Sequence, residues 1–243
     1  MTGRYCFAQC TIDITTLCPE THALCAAYRA EGMPVFSVET SEADIEFERI
    51  KSAREAALEG HPPYPHSDGY WETLAVYRKI AERMPAYDTV LFHGSCVAVD
   101  GAGYLFSAKS GTGKSTHARL WRELLGGRAV MVNDDKPLIR IDSNGATAFG
   151  TPWDGKHNLS SNMAVPLRAL CILERSSENR IEPISAKEAF PVLLQQTYRP
   201  ADTEMLAKTL QLVDRLAASV RLYRLGCNME LDAARLAYDA MRG

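Results

Sequence analysis

Apolar and polar residues alternate from Tyr5 to Ile14 in the two-residue rhythm of a half-buried strand, and Val35 to Val38 repeats that rhythm in short form. The period then changes. Ser41 and Asp44 stand at cap spacing before an Ala/Glu/Arg-rich stretch to Leu58, which predicts a helix, and Trp71 to Met84 predicts another. Between them Gly60-His61-Pro62-Pro63-Tyr64-Pro65 cannot continue regular structure, because proline fixes φ and lacks an N–H, so this cluster marks an internal boundary. From Asp88 onward strands dominate. Val90 to Val99, the turn Asp100-Gly101-Ala102-Gly103 and Tyr104 to Ser107 predict a β-hairpin. A helix after Ser115 should stop near Gly126-Gly127, Ala129 to Val132 is a short apolar strand, and Leu138 to Phe149 is a hairpin turning at Ser143-Asn144-Gly145. Leu167 to Leu173 reads as an apolar strand, Ser185-x-x-Glu188 as a capping box for a helix through Leu194, and Thr203 to Ala218 as a helix with a core stripe. Ser219 to Leu225 predicts a final strand and Leu231 to Met241 a closing helix. The expected fold is α/β, a mixed sheet, divided into a small α+β region over residues 1–87 and a larger domain over 88–243.

Composition narrows the partners. The 243 residues carry a formal net charge of −3 from 27 basic and 30 acidic side chains, without a basic run, so neither nucleic acid nor a membrane surface is an expected partner. No apolar run approaches the roughly 18 residues of a membrane helix. Residues Met1 to Cys10 lack the apolar stretch of a signal peptide, and the expectation is a cytoplasmic protein. Seven cysteines are odd in number, dispersed and never spaced as Cys-x-x-Cys, which argues against a zinc site or a disulfide framework.

The chemistry concentrates after Ser107. Ser110-Gly111-Thr112-Gly113-Lys114-Ser115-Thr116 follows an apolar strand and opens a helix, the layout of a nucleotide-phosphate cradle. Gly111 and Gly113 let backbone N–H groups turn inward around an anion, the helix start adds partial positive charge, and Lys114 brings a full charge to the outer phosphates. Ser115 is placed to ligate magnesium. One position departs from the full pattern: Ala108 stands where a glycine is usual, so the first bend must tolerate a β-carbon.

A second feature sits at the end of the strand Ala129 to Val132, where Asn133-Asp134-Asp135 places carboxylates at a strand terminus, the position at which ligands gather in open α/β sheets. If strand geometry persists the two acids face opposite ways, one toward a metal and one toward an acceptor alcohol whose proton it could take. A solvated acidic turn before Lys136-Pro137 is the alternative.

His93-Gly94, the hairpin, Ser110 to Ser115 and Asp134-Asp135, in that order over Leu91 to Glu174, resemble the catalytic core of HPr kinase/phosphorylase and its relatives. The glycine loop also resembles that of phosphoenolpyruvate carboxykinase. The resemblance implies an ATP- and Mg2+-dependent kinase in which Ser110 to Thr116 hold nucleotide, Ser115 and Asp135 hold the metal, and Asp134, Asp135, His93 and Lys114 are catalytic. Two departures separate the chain from HPr kinase itself: Thr116 replaces the usual Glu after Lys-Ser, and the glycine-rich second signature is absent. What stands there is Gly150-Thr151-Pro152-Trp153-Asp154-Gly155-Lys156-His157, in which Trp153, Lys156 and His157 are candidate contacts to acceptor or phosphate, or else a structural loop with Trp153 packed inward. Arg199 in Thr197-Tyr198-Arg199-Pro200 is either a phosphate contact or an ordinary surface arginine. The acceptor is a hydroxyl on a small molecule or on a protein serine. Relatives of the resembling family assemble, so a homo-oligomer is an expectation by resemblance. A carboxykinase-like reaction, or a nucleotide-binding regulator without transfer chemistry, are the other readings.

Overall fold

The computed structural model describes residues 1–58, 60–109 and 111–243. Backbone contacts divide the chain into two compact units, Met1–Arg83 and Met84–Gly243.

In the first unit β1 (Thr2–Phe7) and β2 (Cys10–Thr15) form an antiparallel hairpin, and β3 (Phe36–Glu39) lies parallel to β2. A single strand over Tyr5 to Ile14 is therefore corrected to two. The reason is visible in the burial phase, since Tyr5 and Phe7 are buried at odd positions and Cys10, Ile12 and Ile14 at even ones. The phase slips across Ala8 and Gln9, whose φ values of 47° and 64° make the tight left-handed turn that joins twisted strands. After a short helix α1 (Glu20–Leu24), the unit continues into α2 (Glu42–Leu58) and α3 (Asp68–Arg83), and the proline cluster joins these last two within the unit. Two buried acids tie it together. Glu72, fully buried on α3, accepts hydrogen bonds from Leu17 N (2.7 Å), Cys18 N (2.8 Å) and Thr40 Oγ1 (2.6 Å), so its charge is met by three donors. Glu48 on α2 accepts from Arg78 Nε on α3.

The second unit is a nine-stranded mixed sheet with helices on both faces. It contains β4 (Thr89–Leu91), β5 (Ser95–Val99), β6 (Ala102–Ser107), β7 (Ala129–Asn133), β8 (Leu138–Asp142), β9 (Gly145–Phe149), β10 (Ala164–Arg175), β11 (Arg180–Pro183) and β12 (Arg221–Cys227). Spatial order is β4-β8-β9-β10-β6-β5-β7, with β12 added beside β10 and β11 beside β12. The expected strand Val90 to Val99 is two strands. Phe92-His93-Gly94 leaves the sheet between them, where His93 N donates to Gln196 O (2.7 Å) and Gly94 N to Asp135 O (2.9 Å). The helices α4 (Lys114–Leu125), α5 (Ala186–Gln196), α6 (Thr203–Ser219) and α7 (Leu231–Met241) follow the predicted spans closely, and the Ser185/Glu188 capping box forms. The short strand β11 has no counterpart in the apolar pattern because its four residues are all partly or fully exposed.

Each face of the sheet has its own core. Leu193, Leu212 and Leu216 of α5 and α6 pack on one face with Leu105 and Leu170. On the other, Ala118 and Trp121 of α4 and Ala234 and Tyr238 of α7 pack with Tyr104 and Phe106. Trp121 is ringed by Tyr104, Phe106 and Tyr238 at 4.9–5.4 Å between centroids. Its Nε1–H donates to His117 Nε2 (3.1 Å), and because indole is only a donor, that nitrogen must carry a lone pair and the ring is neutral. Burial pushes His117 down to about 4.

That shift has a signed consequence for stability. The unfolded chain takes up the His117 proton below about pH 6.5, whereas the folded chain resists until about 4, so stability is unaffected above 6.5 and is lost as pH falls through that window. Chemical denaturation should find the protein about 2 kcal/mol less stable at pH 5 than at pH 7 from this group alone, and His117→Phe should remove that share of the pH dependence.

Candidate functional site

Several strands of the second unit run in one direction, among them the two that feed the glycine loop and the acidic turn. β6, β10 and β12 are mutually parallel, and β7 runs with them because both it and β6 are antiparallel to β5. Register then sets the level at which they end. Cys96 pairs with Leu105 on one side and, across a register shift at Val132, with Asn133 on the other, so the turn after β7 leaves the sheet two residues before the loop after β6, on the same edge. That edge is where open α/β sheets bind ligands.

The loop after β6 begins at Ala108, which is buried and does not adopt a left-handed φ, so the β-carbon there is tolerated. Gly111 (φ 75°) and Gly113 (φ 120°) do adopt left-handed values, which bends the chain back into α4. Gly113 stands at the N-cap of α4 and brings no side chain to its first turn, which leaves room for an anion at the leading N–H groups. Lys114 is 8% exposed and its Nζ donates to Ala108 O at 3.2 Å. Burial lowers its pKa, against the opposing pull of Asp135 and Asp134.

The turn after β7 is built by a residue that sequence reasoning passed over. Asn133 Nδ2 donates to Thr151 O (2.9 Å) and Thr151 Oγ1 (3.0 Å), while its Oδ1 accepts from Asp135 N (2.8 Å) and Lys136 N (2.6 Å). This Asx turn ends the strand at Asn133. Strand alternation therefore stops before the acids, and instead of facing opposite ways Asp134 and Asp135 line one cavity. Asp134 is buried, with the Ser95 hydroxyl 2.9 Å from Oδ1 and Ser115 beside it in the same cavity lining, both favouring its charged form. Burial raises its pKa more than those two serines lower it. At Asp135 burial pushes the other way from its partners and loses, because His93 Nε2 lies 3.4 Å from Oδ1 and Lys136 Nζ 3.6 Å from Oδ2, and the pKa falls.

The segment Asp154 to His157 forms the facing wall of this cavity of about 360 Å³. Asp154 accepts from Ser160 Oγ (2.7 Å), yet burial and the nearby Asp135 raise its pKa. Gly155 (φ 76°) comes so close to the acidic turn that a β-carbon there would sit 3.0 Å from Asp135 Cβ.

Most of the residues singled out in the sequence meet here: His93, Lys114, Ser115 and Thr116 with Gly111 and Gly113, both aspartates, Lys156 and His157. Thr112 instead lines a neighbouring cavity, Trp153 is buried with its carbonyl 3.4 Å from Asn133 Nδ2, and Arg199 is exposed outside both cavity linings. Ser110 lies outside the described residues. Ser95 and Asp154 join the site without having been expected; the signal for Ser95 was its place directly after His93-Gly94. Among the described residues no three His, Cys, Asp or Glu side chains are grouped to hold a metal by themselves, so a cation here would draw part of its shell from a ligand.

A family model described as SynChlorMet cassette protein ScmC matches residues 70–230, well over half of the sequence. The chain belongs to the ScmC family. The ScmC match runs from α3 through β12 and includes the glycine loop, the acidic turn and the facing wall. The motif order had suggested a subgroup related to HPr kinase/phosphorylase but apart from HPr kinase itself, and the family that matches is ScmC, a different family. No curated protein matches the chain. Among solved structures it is similar to the Hpr(Ser) kinase/phosphatase from Coxiella burnetii at 11% identity, over 63% of this chain and 99% of that one, with a TM-score of 0.33. A superposition that loose transfers no residue from one chain to the other. Among the described residues no helix is long and apolar enough to cross a membrane.

The close approach of the two walls predicts a sharp cost at one glycine. Gly155→Ala should lose about 1–3 kcal/mol of stability from the left-handed φ and the contact with Asp135. Gly127→Ala, where a β-carbon meets nothing within 4 Å, should stay within about 0.5 kcal/mol of the parent in the same denaturation experiment.

Proposed function

We propose that this chain is an ATP-dependent phosphotransferase that moves the γ-phosphoryl group to a hydroxyl acceptor. The observation that carries the reading is the opposition, across one cavity, of a helix start with Gly113 at its N-cap and buried Lys114 and a pair of carboxylates at the end of β7, one strand removed from the strand that feeds the loop. Phosphoryl transfer asks a protein mainly to position and to neutralise charge, and both means are present in that arrangement.

The residues divide as follows. The N–H groups at the start of α4 and the Lys114 ammonium hold the outer phosphates. Magnesium fits the oxygen donors of Ser115 and a carboxylate, with the phosphates completing the shell, and when bound it supplies charge neutralisation of the transferring group. Ser115 is among the groups that favour the charged form of Asp134, and on that ground we assign Asp134 to the metal in place of the Asp135 that the resemblance implies. Asp135, held from the other side by His93 and Lys136, then faces the acceptor and takes the hydroxyl proton as the new O–P bond forms and the bond to the departing ADP breaks. Lys156 and His157 on the facing wall stand where an anionic acceptor or the transferring phosphate would meet them. The acceptor is a small alcohol or a serine hydroxyl.

The direct test is incubation of the pure protein with γ-labelled ATP and magnesium, first with pooled metabolites bearing hydroxyl groups and then with host lysate. Label should move to one acceptor class, and Lys114→Ala should abolish transfer. Asp135→Asn should slow turnover by about 10²–10⁴ with ATP binding retained, whereas Asp134→Asn should weaken Mg-ATP binding as well. Full turnover in both aspartate variants, or ATP binding without transfer to any pool, would refute the proposal.

A further inference from the structure

The same sheet edge carries a second cavity, larger than the first at about 590 Å³, on the other side of the glycine loop. The two share Gly111, Gly113 and Thr116 as a common wall, so a ligand whose phosphates lie in the first can extend around the loop into the second. What lines the second is different in kind. The segments that follow β10 and β12 close it, with Arg175 to Ser177 on one side and Cys227 to Met229 on the other, over a floor of Leu120 and Leu173. Among its described lining residues there is no carboxylate, in contrast to the three that line the first cavity.

We propose that this second cavity is the nucleoside subsite, holding the base and ribose of the nucleotide whose phosphates occupy the first cavity. The inference rests on the phosphotransferase reading and extends it to the neutral half of the substrate. A nucleobase is flat, apolar on its faces and polar at its edge. Leu120, Leu173 and the Met229 thioether offer the apolar contact, and Met229 is 76% exposed, so its surface is available to a ligand. Arg175 offers a guanidinium plane beside them. Its Nη2 already donates to Gly111 O, which fixes it against the loop where base and phosphates would meet. The rim is supplied with hydroxyls and an amide at Ser176, Ser177 and Asn228, groups that can both donate to and accept from a base edge or ribose. Asn228 is itself held in place, because its Oδ1 accepts from Glu230 N at 3.0 Å and its own N–H donates to Asn179 Oδ1 at 3.0 Å. Codirectional β10 and β12 set these two rims level with each other, as Arg175 pairs with Cys227 in the register.

Calorimetry with two probes separates the halves: ATP, and inorganic tripolyphosphate, which has no nucleoside. Ser177 is exposed, so Ser177→Trp plugs the cavity without touching a core, and Met229→Ala removes one apolar wall. Ser177→Trp should weaken ATP binding by about tenfold or more and Met229→Ala by a few-fold, the range expected for lost base contacts. Tripolyphosphate affinity should stay within about twofold in both variants, and Lys114→Ala should weaken both probes. Unchanged ATP affinity in both variants, equal weakening of both probes, or a wild-type protein that binds ATP no better than tripolyphosphate would overturn the subsite and leave the phosphate cradle standing. A wild-type protein that binds neither probe would overturn the phosphotransferase reading, and the subsite with it.

Discussion

The site depends on the register of one short strand. β5 has five residues, and it lies between the strand that feeds the glycine loop and the strand that feeds the acidic turn. Because it is antiparallel to both, they run the same way, and because Cys96 faces Leu105 and, across a register shift, Asn133, β7 ends within two residues of the end of β6. A slip of one residue on either side would move the loop or the acids by the rise of a residue and turn every side chain of that strand to the opposite face. Packing opposes such a slip. Val97 and Val99 belong to the core under α4 and α7, Cys96 and Ala98 to the core under α5 and α6, and exchanging the two sets would bring mismatched volumes to both layers. The two-sided core thus fixes the relative position of cation and carboxylates.

Given that register, the local polar network decides where the acids point. Asn133 is fully buried, and each of its amide atoms is met, two acceptors for the nitrogen on Thr151 and two donors for the oxygen from Asp135 and Lys136. A buried amide with all partners made is stable only in the geometry that makes them, so the turn is held as a unit and not as a flexible strand end. The Gly94 N–H on the Asp135 carbonyl and the Ser95 hydroxyl on Asp134 clamp the same turn from the segment between β4 and β5. This accounts for the break in what the apolar pattern presents as one strand: the excursion at Phe92-His93-Gly94 brings His93 and Ser95 to the acids.

Much of this was legible in the residues, and the exceptions share a cause. Helix spans came through because apolar spacing and caps are local; the capping box at Ser185 and the glycine stop at Gly126 are short-range signals that tertiary packing had no reason to override. The loop and the acidic pair were legible as a group, since most of the residues singled out there meet in one cavity lining. Three features were not. The turn at Ala8-Gln9 uses left-handed φ values without glycine or asparagine, so no turn residue announces it. The break at His93-Gly94 is set by a non-local bond to Gln196, and the common orientation of Asp134 and Asp135 is set by Asn133 reaching Thr151. In each, the deciding partner lies beyond the reach of periodicity.

The electrostatics of the cavity follow from how deeply each group is set. Asp134 and Asp154 are both raised by burial, while Asp135, with His93 and Lys136 beside it, is lowered, so the three carboxylates are not equivalent. Among the described residues lining this cavity, Lys114 brings the cation from the loop side, and burial makes its own charged form less comfortable. Two kinds of ligand relieve this arrangement at once: an anion against Lys114 and the start of α4, and a cation against the raised carboxylates. A triphosphate carrying a divalent cation presents both, anionic oxygens toward the helix and metal toward the acids, and neither half alone would satisfy the two walls. That complementarity follows from burial and charge in the cavity itself, and it speaks to binding of such a ligand, the step on which the proposed transfer depends.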